Sequence, residues 1–506
     1  MSLESGEQGQ MPQEPANKAN NSAPNTDIYG RAVKSGAWVL ALRMLSGALV
    51  FAKFVVLARL LGPVYIGLLA VAMLVLATLN TFTQIGFDAA LIQRKDDIRS
   101  YLNTAWTLGI IRAALLVTIL YLLAPYAANF FGEPQTVGII RVIAFTFLLD
   151  ALNNIGVTYF RKELEFNKEF LFRISGVVID AVVAICVAII YPNAWALVAG
   201  KLAGSSVKLA ASYLMHPYRP ALEMNWQKAR ELWSFGKHIM GSSILRFFIL
   251  QGDSFVLAKI LGAGALGLYR YAYRTSNMTA TEISDMIAKV AFAAYSKLQE
   301  NQQKLKAGYL KTVQVVSLAV FPIAGGLIVL APEFTKIVFG NDWLPMVPAM
   351  RILCLLGPLK CFQRAPAFRA VGRPDIILKL SCIRFVVLAL TIYPLTKKLG
   401  MTGTSLSALA ASLSSQPFAF YCLQKFIGAR FKDVALLLSF PVAATLIMML
   451  SVFAAKSAIV NIGPVSLLLL VCLGAALYII LILSARLFYK EYDAVALARD
   501  ILKGLK

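Results

Sequence analysis

The sequence predicts an all-α polytopic membrane protein of fourteen transmembrane helices, arranged as two pseudo-symmetric six-helix bundles plus an extra helix pair. Three observations predict this. The chain has 506 residues, 58% of them hydrophobic, with mean hydropathy +0.69, and its apolar runs reach the ~20 residues needed to cross ~30 Å of hydrocarbon. The segment from Val56 to Leu68 returns 200 residues later as Val256 to Leu268, and eight of the seventeen positions from Val56 to Ala72 are identical at that offset. Basic clusters, finally, collect on alternate connections, the asymmetry expected of cytoplasmic loops.

The first bundle takes its spans from residues 34–57, 65–86, 102–124, 138–159, 170–191 and 194–215. The second takes 238–259, 265–290, 310–331, 347–370, 376–396 and 401–424, and the extra pair 434–456 and 465–487. Six spans per repeat is an even number, so the two copies share one orientation and face each other across a cleft, related by an axis along the membrane normal. The domains follow: 1–30 a disordered cytoplasmic tail, 31–215 the first lobe, 216–237 a cytoplasmic interfacial linker, 238–425 the second lobe, 426–488 the additional helices and 489–506 an amphipathic cytoplasmic tail. No short apolar region precedes the first span, which is expected to serve as an uncleaved insertion signal.

A net charge of +23 would suggest nucleic acid in a water-soluble chain. Here Arg94-Lys95, Arg161-Lys162, Lys304 with Lys306, and Arg430 with Lys432 all fall on one side of the predicted topology, which places both termini in the cytoplasm and the basic groups among anionic headgroups. Nucleic-acid binding is excluded on that distribution. Cys186, Cys354, Cys361, Cys382, Cys422 and Cys472 lie inside apolar spans without a Cys-x-x-Cys pair and read as small core residues. His216 and His238 make no metal site alone, and no phosphate-binding glycine loop or nucleophile elbow is present, so neither a metal nor another cofactor is expected.

Charges within spans are the informative residues: Arg43 and Lys53 in the first, Arg112 in the third, Asp150 in the fourth, Asp180 in the fifth, Arg246 and Asp253 in the seventh, Arg384 in the eleventh. Each costs ~2.5–3.5 kcal/mol facing lipid at mid-depth, so most are expected to face water or one another. In the eighth span Arg270, Arg274, Asn277, Thr281 and Asp285 recur at helical spacing and form one polar stripe, with Glu282 beside it. Arg43, Arg246, Arg270 and Arg274 would make a cationic wall suited to a diphosphate, for which arginine offers forked donors. Tyr269, Tyr271 and Tyr273 suit stacking on sugar. Arg112 is a weaker candidate, since Asp150 or Asp180 would pair with it. Under the repeat Lys53 maps onto Asp253, so an ion pair between them would make a gate; Asp285 and Glu282 are candidates for ion coupling. Arg364 and Arg369 are expected to snorkel, and Trp343 to anchor at the interface.

Gly86 to Asp96, containing Ala90-Leu91-Ile92-Gln93-Arg94-Lys95-Asp96, together with Asp253 to Gly262, Gly267 to Arg274, Ser296 to Gln299, Phe321 to Gly325, Phe339 to Pro345 and Gly372-Arg373-Pro374, resembles the polysaccharide-transporter family of the multidrug/oligosaccharidyl-lipid/polysaccharide flippase superfamily. The resemblance covers about residues 30–440; the N-terminal tail matches nothing in the family pattern. It implies an inner-membrane flippase that moves undecaprenyl-diphosphate-linked oligosaccharide repeat units outward by alternating access, for O-antigen, exopolysaccharide or capsule. A polysaccharide polymerase and chain-length or export machinery are implied partners. Three alternatives stay open: a peptidoglycan-precursor flippase, a multidrug exporter of the same superfamily, which would need an acidic pocket, and a membrane polysaccharide polymerase. The last would require a large external catalytic loop, whereas 332–346 offers only Glu333 and Asp342.

Overall fold

The computed structural model describes the backbone of residues 25–83, 99–163, 165–362 and 364–488, and the side chains within them except those of 25–44, 161, 166, 232–242 and 485–488. The expected N-terminal tail up to residue 24, the 86–96 motif and the tail from 489 lie outside the described residues, as does the side chain of Arg43.

Among the described residues all regular structure is helical. In chain order the helices are α1 (Asn25–Thr83), α2 (Arg99–Phe131), α3 (Thr136–Ala151), α4 (Thr158–Lys162), α5 (Phe166–Ile190), α6 (Ala194–Met215), α7 (Trp226–Leu298) and α8 (Gln302–Val338). The short α9 (Val347–Cys354), α10 (Leu356–Leu359) and α11 (Arg364–Ala370) follow, then α12 (Pro374–Ser414), α13 (Gln416–Ile427), α14 (Phe431–Ser457) and α15 (Pro464–Phe488). Eight helical runs among the described residues are long and apolar enough to cross a membrane, so the chain is a multi-pass membrane protein.

Three of the long helices are pairs joined at a glycine. Gly62 (φ 70°, ψ 173°) divides α1, Gly262 (φ 79°, ψ −177°) divides α7 and Gly400 (φ 61°, ψ −139°) divides α12. Only glycine holds such backbone angles without strain. The first two glycines are the equivalent positions of the sequence repeat and adopt the same conformation. Asparagine caps fix other starts: Asn193, Asn225 and Asn301 each accept a backbone N–H of the helix that follows.

One buried apolar core takes residues from α1 to α3, α5 and α6 and also from α7 to α9, so the two repeat-bearing regions share it. A second lies within α7, α8 and α11 to α14, around Tyr309, Phe368 and Leu423. A third joins α14 and α15 to α8. Between α5 and α6 small residues allow backbone contact. A Cβ at Gly200 would stand 2.6 Å from the Asp180 carbonyl oxygen, and one at Gly204 2.6 Å from that of Gly176. This close approach sets Asp180 beside Lys201.

Candidate functional site

A cavity of about 530 Å³ lies where α1 and α7 meet, with α5 and α6 closing its flank. Lys53 comes from α1, Asp180 from α5, Lys201 from α6, and Gln251, Asp253, Arg270, Tyr273 and Arg274 from the two halves of α7. Asp180 bridges two cations: Lys53 Nζ is 2.6 Å from its Oδ1 and Lys201 Nζ 3.0 Å from its Oδ2. Asp253 is held by its own helix pair instead, accepting from the Ser254 N–H at 2.6 Å and the Tyr269 hydroxyl at 2.7 Å. Arg270 donates to Gln251 Oε1 at 2.8 Å. The Arg274 guanidinium sits 4.8 Å from the centre of the Phe54 ring, a cation–π contact that leaves its N–H groups available to a ligand. Four cations therefore face two carboxylates here, an excess of positive charge in a site partly walled by Leu57, Leu69, Met73 and Leu250.

At the Gly62/Gly262 end the cavity is sealed. Phe54 stacks on Tyr271 at 3.6 Å, Tyr271 lies 4.2 Å from Trp343, and Trp343 donates to the Ala58 carbonyl at 3.0 Å. Beyond them the hairpins cross with backbone contact. A Cβ at Gly67 would fall 1.9 Å from the Ala263 oxygen, and one at Gly267 2.2 Å from the Pro63 oxygen. These contacts are reciprocal under the 200-residue offset. The equivalent cations Arg59 and Lys259 each clasp a helix end: Arg59 donates to the carbonyls of Ile337 and Val338 at the C-terminus of α8, and Lys259 to that of Phe130 at the C-terminus of α2. Cations there complete unsatisfied carbonyls and complement the helix dipole. Glu133 Oε1 also accepts the Ala263 N–H, at 2.6 Å.

Of the residues singled out in the sequence, Lys53, Asp180, Asp253, Tyr269, Arg270, Tyr271, Tyr273 and Arg274 line this cavity. The others lie elsewhere. Asn277 is buried and donates to the Leu353 carbonyl at 3.4 Å, tying α7 to α9. Thr281 donates to the Asn277 carbonyl and accepts from Lys360. Glu282, Asp285 and Arg246 are exposed away from the lining. Arg112 bonds Asn80 and Thr83 and so fastens α2 to α1; Asp150 is taken by Lys208 at 2.9 Å.

Four expectations change. Lys53 pairs with Asp180 rather than with Asp253, because repeat equivalence says which residues correspond and not which face each other. Tyr269 and Tyr271 are buried at 1% and 6% exposure, leaving Tyr273 as the accessible ring. Trp343, also 1% exposed, is a core residue and not an interfacial anchor. The Arg364 guanidinium, expected to reach the headgroups, has Nη1 buried. Lys201, Gln251 and Phe54 were not foreseen; a lysine inside the apolar sixth span was the one visible signal.

Residues 56–348 match the family described as polysaccharide biosynthesis protein. The chain is 25% identical over 416 residues to the lipopolysaccharide biosynthesis protein WzxC of Escherichia coli (strain K12), covering 81% of this chain and 85% of that one. It is 23% identical to the succinoglycan biosynthesis transport protein ExoT of Rhizobium meliloti (strain 1021), covering 69% and 71%. Its fold is similar to that of the lipid II flippase MurJ in an inward closed conformation, with TM-score 0.72, 14% identity and coverage of 90% of this chain and 99% of that one.

Proposed function

The chain belongs to the polysaccharide biosynthesis protein family and is a transport protein rather than an enzyme; from that premise we propose that it flips a diphosphate-linked oligosaccharide on a polyprenyl lipid from the cytoplasmic to the outer leaflet of a bacterial inner membrane. The observation that carries this reading is the charge of the cavity. Lys53, Lys201, Arg270 and Arg274 exceed Asp180 and Asp253 by two positive charges, which suits a doubly anionic diphosphate diester. Arginine supplies forked donors to phosphate oxygens, and Tyr273 offers a face and a hydroxyl to the adjoining sugar. The sugar head cannot enter hydrocarbon, whereas the lipid tail belongs there, so a cleft open sideways suffices.

In this reading the fold has fourteen spans, two six-helix lobes with a linker at 216–237, an added pair at 426–488, and both termini in the cytoplasm. The matching angles of Gly62 and Gly262 and the reciprocal contacts around them support the two-lobe symmetry. The Gly62/Gly262 end is then the outer one, closed here, and outward opening breaks the Phe54–Tyr271 stack and the Arg59 and Lys259 clasps. These take the place of the expected Lys53–Asp253 gate. Asp253, with Asp285 and Glu282, is retained as a candidate for ion coupling, and Arg43, Arg246, Asn277, Thr281 and Arg112 for substrate contacts in other states of the cycle. A polymerase and export machinery are the proposed partners.

Deleting the gene and assaying lipid-linked repeat units tests the reading. Units should accumulate in the cytoplasmic leaflet, and the wild-type gene but not an R270Q/R274Q variant should restore export. Unimpaired export by that variant, expressed at wild-type level, would sink it. The likeness to MurJ favours one second reading, a peptidoglycan precursor as cargo; rescue of cells depleted of their own precursor flippase would select it.

A further inference from the structure

Phe54 belongs at once to the cavity wall and to the seal beyond it. Its ring lines the cavity and is otherwise buried. In the seal it stacks on Tyr271, with centroids 3.6 Å and planes 14° apart, and makes a T-shaped contact with Phe339 at 5.6 Å. Its carbonyl accepts the Tyr271 hydroxyl at 3.1 Å, one turn before the Ala58 carbonyl that accepts the Trp343 indole N–H. Two successive turns of α1 are thereby tied to the second half by buried hydrogen bonds. The same ring carries the Arg274 guanidinium, 4.8 Å from its centre. Tyr271 and Arg274 stand three residues apart on α7, so a single ring of the first half touches both a sealing residue and a cavity cation of the second.

These contacts answer differently to a ligand. The ring stack and the two hydrogen bonds involve neutral groups. The Arg274 contact depends on charge: the face of the ring attracts the guanidinium because it is cationic, and an anion bound in the guanidinium plane neutralises that attraction. The other cavity cations are held within one half. Lys53 and Lys201 pair with Asp180 in the first, and Arg270 bonds Gln251 in the second. Arg274 is the cavity cation whose described partner lies across the divide. Separating the halves at this end breaks its contact with Phe54 together with the stack. An anion on Arg274 therefore weakens a bond that exists only in the closed arrangement, and binds the open one more tightly by that amount. A ligand shifts an equilibrium by just such a difference in affinity.

We propose that Phe54 is a positioning residue that couples the cargo to the outer gate: the anion that neutralises Arg274 loosens the Phe54 ring, and the seal built on that ring then opens outward. The proposal rests on the diphosphate reading above. It gives the transport cycle an order, because the seal is firmest over an empty cavity and weakest over a loaded one. Loss of one cation–π contact changes the opening equilibrium about 2- to 30-fold.

Pulsed electron-spin distance measurements on the full-length protein in lipid nanodiscs test it, with the six native cysteines replaced by serine and spin labels at Gln135 and Lys398, exposed positions on the two halves. Both report on the sealed end: Glu133, close to Gln135, bonds Ala263, and a Cβ at Gly400, close to Lys398, would stand 3.9 Å from Leu261. Saturating inorganic pyrophosphate should raise the ratio of long to short distances about 2- to 30-fold in the otherwise wild-type protein. Phe54→Leu should bind pyrophosphate at least as tightly by calorimetry and show no such shift. A wild-type shift in Phe54→Leu overturns the coupling, and so does loss of binding there, which would make Phe54 a ligand contact instead. Pyrophosphate binding to the wild-type protein with no shift, or with a closing one, overturns the coupling alone. No binding at all removes the diphosphate reading with it. Should Phe54→Leu fail to fold, trifluorophenylalanine at position 54 keeps the shape of the ring and withdraws its negative face; the response should shrink, and an undiminished response overturns the proposal.

Discussion

At the central cavity the two halves of the molecule hold their charges differently. In the first, Asp180 lies between Lys53 and Lys201, with Asp150 holding Lys208 farther along. In the second, Arg270 donates to the Gln251 amide oxygen and Arg274 stands over the Phe54 ring. The first half holds its cavity lysines on a shared carboxylate, the arrangement of a scaffold. The second leaves its cavity arginines to neutral partners, the arrangement that the proposed anion-binding role requires.

Mutation can break this contrast. Asp180→Ala strands two lysines and should destabilise the detergent-solubilised protein most, by about 3–5 kcal/mol as for one partner removed from a buried pair; a melting temperature within a degree or two of wild type would refute the scaffold role. Gly67→Leu forces a side chain into the Ala263 carbonyl and should cost about 1–3 kcal/mol of the Gly62/Gly262 crossing. Gly267→Leu should match it if the joint is symmetric, and thiol labelling of a cysteine placed at Ile66 reads both. Arg59→Ala and Lys259→Ala each remove a clasp on a helix C-terminus, worth about 0.5–2 kcal/mol, so labelling should rise several-fold in each and further in the pair. Arg274→Gln should lower stability by less than about 1 kcal/mol, since no ion pair is lost, while reducing pyrophosphate binding. A large loss of stability there would erase the contrast between the halves.

The smallest effect concerns the 216–225 segment, which hydrogen-bonds to the first half. Asn154 donates to the carbonyls of His216 and Tyr218, the Tyr218 hydroxyl donates to Asn103, and the Glu223 N–H donates to Thr107. His216 stacks on Tyr159, and its Nδ1 accepts the Tyr218 N–H at 3.1 Å. Burial pushes the imidazole below its ordinary value, against the pull of Glu163 and Glu165. The folded state therefore favours neutral His216, and that contribution is present above about pH 6.5 and fades as pH falls through the lowered value. Hydrogen exchange at the Tyr218 amide should accelerate modestly in acid in wild type and lose that dependence in His216→Gln; equal acceleration in both would remove the histidine from the explanation.

Membrane residence, the all-helical class and the family were legible along the chain, because hydropathy, charge asymmetry and short motifs are local properties. The Gly62/Gly262 repeat was legible too, and it marked the positions where two long helices turn. Along α7, helical spacing placed Arg270 and Arg274 on one face. The same periodicity assigned Asn277 and Thr281 to that face, although α9 and Lys360 claim them in the fold. Spacing describes one helix, and what a side chain meets depends on its neighbours. Only the packed structure decided that Lys53 joins Asp180, since small residues between α5 and α6 set the depth of that carboxylate. Only it decided that Trp343 belongs to the core and that Arg364 Nη1 is buried. Sequence determines which charges must be sheltered from lipid; the crossing of helices from distant parts of the chain determines which of them protein groups neutralise.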